Sequence, residues 1–153
     1  MKMDVPGIIS GIPQSESELT ATPVPYKNAR ILIVEDERHI ARYLEFVLRK
    51  EGYEVAIAHD GEAALERIAT FDPAAILLDL VLPGMSGMEV LRSIQSDSRY
   101  ASLIVIVLSA RSSADDSAAL AAAQVHAQCP KPVAPSTLLK KLAEFGIRPG
   151  VPA

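Results

Sequence analysis

The sequence predicts an α/β fold: a doubly wound sheet of five parallel strands, with helices on both faces. Three observations predict it. Between Arg30 and Phe145, short apolar runs alternate with amphipathic segments. The runs ILIV (31–34), AAILL (74–78) and LIVIVL (103–108) are apolar at successive positions rather than alternate ones, as strands covered on both faces must be. Charged and hydroxyl residues stand where those runs end, and in a parallel sheet all such ends share one edge.

The elements follow in order. ILIV is the first strand. The segment after it sets Ile40, Leu44, Val47 and Leu48 on one helical face, and Gly52 stops that helix. YEVAIA (53–58) alternates large and small residues and reads as the second strand. Asp60 caps a helix that ends near Asp72-Pro73, since the residue before a proline avoids the helical conformation. The third strand, 74–79, carries its apolar run into Asp79 and then a Pro83-Gly84 turn. Ser86 with Glu89 forms a capping-box pattern for a helix that buries Val90, Leu91 and Ile94. LIVIVL is the fourth strand. An alanine-rich helix is expected over 113–124, a weak fifth strand near 125–129, and a last helix over 135–145 closed by Gly146.

Composition limits the function classes. At 153 residues the chain has room for one sizeable core. A net charge of -4 argues against a nucleic-acid-binding surface as the main activity. Cys129 is the only cysteine, so no internal disulfide can form and a reducing compartment fits. No apolar run is long enough to span a bilayer, and MKMDVPGIISGIP makes a poor signal peptide, so the expected location is the cytoplasm with no membrane partner. Residues 1–28, with four prolines among serine, glutamate and glycine, read as a flexible tail. The folded domain is expected at 29–146, with a short C-terminal tail at 147–153.

The strand ends carry the chemistry. Glu35 and Asp36 follow the first strand, Asp79 ends the third, Ser109 follows the fourth and Lys131 the fifth. In a 2-1-3-4-5 strand order the first and third strands are neighbours, so Glu35, Asp36 and Asp79 converge at the edge where open α/β sheets bind ligands. Three carboxylates in one crevice repel one another, and a divalent cation with oxygen ligands, Mg²⁺, is the natural remedy. A carboxylate nucleophile, a metal, a lysine and a hydroxyl together meet the needs of phosphoryl transfer. His39, His59 and His126 lack ligand spacing and are assigned ordinary surface or packing roles. Cys129 is read as a small buried residue, and Met85 and Met88 as packing.

The stretches ILIVEDE, LLDLVLPGMSG, VIVLSA and PKP, in this order and spacing, resemble the receiver domain of two-component response regulators across residues 30–146. The resemblance implies a flavodoxin-like fold and a single-domain regulator rather than an enzyme in its own right, assisting only its own phosphotransfer and slow dephosphorylation. It implies that Asp79 accepts a phosphoryl group from the phosphohistidine of a sensor kinase or a histidine phosphotransfer protein. It further implies that Asp36, Asp79 and the main-chain carbonyl of Val81 hold Mg²⁺, with Glu35 reaching the ion through water. Ser109 and Lys131 would bind the phosphoryl oxygens, and the Lys131-Pro132 peptide would be cis. An unidentified downstream protein would read the phosphorylated state. A homodimer through the face of the fourth helix, fifth strand and last helix is compatible with the family.

The chain also departs from the family. Gln128 stands three residues before Lys131, where receivers usually carry a switch tyrosine or phenylalanine. Gln124 occupies a turn where many members have glycine. Pro130 cannot donate a ladder hydrogen bond, which an edge strand tolerates. These departures bear on the output surface rather than the phosphorylation chemistry. Two enzyme-class or carrier alternatives fare worse. A haloacid-dehalogenase-type phosphatase needs a second Asp two residues after the nucleophile, where this chain has Val81, and EDERH after the first strand would repel a flavin phosphate. A degenerate receiver that binds a partner without phosphorylation is the remaining alternative, kept by Gln128.

Overall fold

The computed structural model describes residues 30–109 and 125–149. The expected tail at 1–28, the alanine-rich helix expected over 113–124, Gln124 itself and the end of the C-terminal tail lie outside the described residues. Five parallel strands form one sheet in the order β2-β1-β3-β4-β5. They are β1 (Arg30–Val34), β2 (Glu54–Ala58), β3 (Ala75–Asp79), β4 (Ile104–Ser109) and β5 (Ala127–Pro130). Helices α1 (Arg38–Lys50), α2 (Gly61–Phe71) and α3 (Gly87–Gln95) follow the first three strands, and a C-terminal helix (Pro135–Glu144) follows β5. This is the fold class the strand pattern predicts.

Alternation along β1 explains why the strands are apolar throughout. Ile31 and Ile33 face one core with Leu44 and Leu48 of α1 and Leu138 and Leu142 of the C-terminal helix. Leu32 and Val34 face the other, with Ile68 of α2 and Val90, Leu91 and Ile94 of α3. Each side chain of a central strand therefore loses its water, worth roughly 1.5–3 kcal/mol for a fully buried aliphatic. The strands differ from the sequence boundaries by one or two residues. Tyr53 lies just before β2, and the last strand begins two residues late and includes Pro130, which pairs with Ser109 on an outer strand.

Local signals set the helix ends. Ala63 N–H donates to Asp60 Oδ1 at 2.8 Å at the start of α2. At α3, Ser86 and Glu89 exchange two bonds in a complete capping box. The helix α1 and the C-terminal helix end alike: Gly52 N–H donates to Arg49 O and Tyr53 N–H to Leu48 O, while Gly146 N–H donates to Ala143 O and Ile147 N–H to Leu142 O. This Schellman closure needs a residue of positive φ, and Gly52 (103°) and Gly146 (77°) supply it. It turns Ile147 back into the core, although this residue lies just past the expected domain end; Ile147 is 4% exposed and its carbonyl accepts the Tyr53 hydroxyl at 2.7 Å.

Candidate functional site

The site forms where β1, β3, β4 and β5 end. Glu35 continues the β1–β2 ladder one residue past the strand, donating its N–H to Ala58 O at 3.0 Å. This fixes its side chain inward, and Glu35 is 0% exposed. Its Oε2 accepts the Glu37 N–H at 3.2 Å. Asp36 follows and is exposed. Asp79 closes β3 at 4% exposure, and its Oδ1 accepts the Val81 N–H at 3.0 Å. Glu35, Asp36 and Asp79 each offer an oxygen within 4.8 Å of the others.

Lys131 is the cation of the site. Its N–H donates to Ser109 O at 2.8 Å, which aligns the turn after β5 with the end of β4, and the Lys131-Pro132 peptide is cis. The ammonium lies 3.1 Å from Asp79 Oδ2 as a hydrogen bond, 2.9 Å from Glu35 Oε1 and 3.8 Å from Glu37 Oε1. The contact with Glu35 is an ion pair, and this ammonium is what balances the buried Glu35 Oε1. Burial pushes the Glu35 carboxyl up to about 7, and the charge of Asp79 adds to this, while Lys131 and the Glu37 N–H oppose it. Burial acts against the Lys131 ammonium, but its bonds to Glu35 and Asp79 outweigh that and hold it above the usual lysine range.

An all-oxygen set of three converging carboxylates fits a hard divalent cation. The other residues singled out in the sequence take up places around this set. Ser109 ends β4 at the same edge, partly exposed. Val81 stands in the loop after Asp79 with its side chain 77% exposed. Gln128 is an exposed residue of β5, opposite Val107. Cys129 is buried, and burial pushes its thiol up.

Two contributors escaped the sequence reading. Gly87 opens α3 directly against the site: a Cβ there would overlap the Asp79 carbonyl oxygen and Leu80 Cα. Its sequence signal was only a small residue after the cap Ser86. His59 contacts the Glu35 main chain across 24 residues of sequence, a separation that no local pattern reports.

Comparison with known proteins agrees with this architecture. The family model of the response regulator receiver domain matches residues 31–143. Response regulator MprA of Mycobacterium ulcerans is 38% identical over 115 residues, covering 75% of this chain and 49% of that protein. The transcriptional regulatory protein YkoG of Bacillus subtilis is 46% identical over 91 residues, covering 59% of this chain and 39% of that protein. The chain thus spans half or less of these curated relatives. Among solved structures, chemotaxis protein CheY4 of Vibrio cholerae superposes with a TM-score of 0.71 at 28% identity, covering 76% of this chain and 97% of that one. A receiver domain protein of Methanospirillum hungatei does so with a TM-score of 0.68 at 32% identity, covering 76% and 95%. With the match running from β1 into the C-terminal helix, the chain belongs to the response regulator receiver domain family.

Proposed function

We propose that this receiver is a phosphoacceptor of a two-component relay, taking a phosphoryl group on Asp79 from a phosphohistidine of a sensor kinase or phosphotransfer protein in the cytoplasm. One observation carries the reading: the Lys131 ammonium sits between Asp79 and buried Glu35, within a cluster of three carboxylates. With one ammonium against three carboxylates the crevice is net negative, and an anionic donor meets repulsion there. Asp36, Asp79 and the Val81 carbonyl are the residues to hold Mg²⁺, with Glu35 acting through water. Such an ion neutralises that charge and that of the transferring group.

The chain's own residues do the rest. An Asp79 carboxylate oxygen forms the new P–O bond as the N–P bond of the phosphohistidine breaks, and the leaving imidazole takes a proton from solvent. The Val81 N–H holds the other oxygen and fixes the carboxylate plane. Lys131 passes from Asp79 Oδ2 to a phosphoryl oxygen, and Ser109 gives its hydroxyl to another. The resulting shift of Ser109, at the end of β4, and of Lys131, just after the outer strand β5, is what a downstream protein would read. Gln128 places a polar side chain on that outer strand, which favours a second reading: partner binding without phosphorylation. Acetyl phosphate with Mg²⁺ separates the two. One phosphoryl mass on wild type and none on Asp79→Asn is the expected result. Unlabelled wild type favours the second reading, and equal labelling of the variant removes Asp79 from its role.

A further inference from the structure

His59 stands outside the acidic set, yet it holds both ends of the segment that supplies two of its carboxylates. The strand β2 ends at Ala58, whose carbonyl accepts the Glu35 N–H. The next residue reaches back with its ring: His59 Nδ1 lies 2.9 Å from the main-chain carbonyl oxygen of Glu35, and Nε2 lies 3.4 Å from the Arg38 guanidinium. A carbonyl only accepts and a guanidinium only donates. One state of the ring satisfies both partners, the neutral imidazole with its proton on Nδ1.

The residues between these two contacts are Asp36 and Glu37. Both are exposed and belong to no strand or helix. The helix that follows begins without a side-chain cap, since Glu37 at that position makes none, and so lacks the anchor that fixes α2 and α3 at their starts. The tie from His59 to Arg38, the first residue of α1, supplies a substitute. We infer that His59 is a positioning residue: by clamping Glu35 and Arg38 it presents Asp36 to the cation shared with Glu35 and Asp79. The consequence for metal binding rests on the phosphoacceptor reading; the clamp itself does not.

The test separates the two. In ¹⁵N-labelled wild type, His59 should show the Nδ1–H tautomer. A ring protonated mainly on Nε2 overturns the clamp without any variant. In metal-free protein, amide exchange at Asp36 and Glu37 should quicken in His59→Ala relative to β3, and unchanged exchange overturns it too. Mg²⁺ alone, titrated against the amide resonances of Asp36 and Asp79, should bind His59→Ala roughly tenfold more weakly than wild type, the size usual for a lost outer partner of a metal ligand. His59→Asn, whose amide nitrogen falls near the Nδ1 position, should recover part of that loss. Equal affinity in wild type and His59→Ala overturns the positioning role while leaving the phosphoacceptor reading intact. Absence of Mg²⁺ binding in wild type overturns that reading and the metal-positioning role with it.

Discussion

Glu35 and Asp79 are buried carboxylates that share one ammonium, and removing that ammonium exposes what each of them costs. Lys131→Ala leaves both without their counter-charge, and breaking a buried pair by deleting one partner is worth about 3 kcal/mol of stability. Urea unfolding at neutral pH should show a loss of that order, shrinking as pH falls because a protonated carboxyl needs no partner; a variant as stable as wild type would show that water already solvates the pair. A second residue-scale case is Tyr53, whose hydroxyl donates to Ile147 O. Burial pushes it up to about 12, while Arg148 nearby acts in the opposite direction. A folded value above the unfolded one, about 10, gives stability that is fully present below pH 10 and is lost as pH rises through 12. Tyr53→Phe should therefore cost about 1 kcal/mol at pH 8 for the lost hydrogen bond, and the variant should lose less stability than wild type between pH 10 and 12. At this scale the sequence was informative for residues that follow strands, because a parallel sheet puts all their ends together. It was silent on Glu35's burial, which depends on one more ladder bond to β2, and it gave His59 an ordinary surface or packing role, because the partners of His59 are set by the strand order alone.

Elements position the site through close approach. The start of α3 lies against the last residues of β3 with only the hydrogen of Gly87 between them. Gly87→Ala must push α3 away from β3 or twist the Asp79 main chain, and overpacking of this kind costs about 2 kcal/mol. We expect a lowered thermal midpoint together with slower labelling by acetyl phosphate; an unchanged midpoint would mean that the helix can slide freely at its start. The elements themselves were legible where a local device names them. The Asp60 cap, the Ser86–Glu89 box and the glycine closures all work within five residues, so each is written in adjacent positions. The last strand was the weakest, since HAQCP mixes exposed and buried residues on an outer strand, and its bounds came from pairing with β4 rather than from its own pattern. Ile147 fell outside the expected domain for a similar reason: its burial follows from the chain reversal at Gly146 and the Tyr53 hydroxyl, two contacts that a helix pattern ending at Phe145 does not contain.

At the scale of the whole molecule, folding itself creates the crowded acidic crevice. Glu35 and Asp36 are far from Asp79 in sequence and come within 4.8 Å only when β1 and β3 pair side by side. The unfolded chain has no such cluster, so a divalent cation held by these carboxylates would bind the native state and not the unfolded one. That linkage raises stability by RT ln(1 + [L]/Kd), about 1.4 kcal/mol at ten times Kd. The thermal midpoint should climb with Mg²⁺, whereas Na⁺ at matched ionic strength, which screens without coordinating, should move it little. Asp36→Asn sharpens the test because Asp36 is exposed and has no inward packing to lose. Without metal the variant should be at least as stable as wild type, since one of three repelling charges is gone. With Mg²⁺ it should gain much less than wild type, so the order of the two midpoints reverses across the titration. A wild-type midpoint indifferent to Mg²⁺ would mean that Lys131 alone balances the crevice, and the carboxylates would then be a structural cluster rather than a cation site.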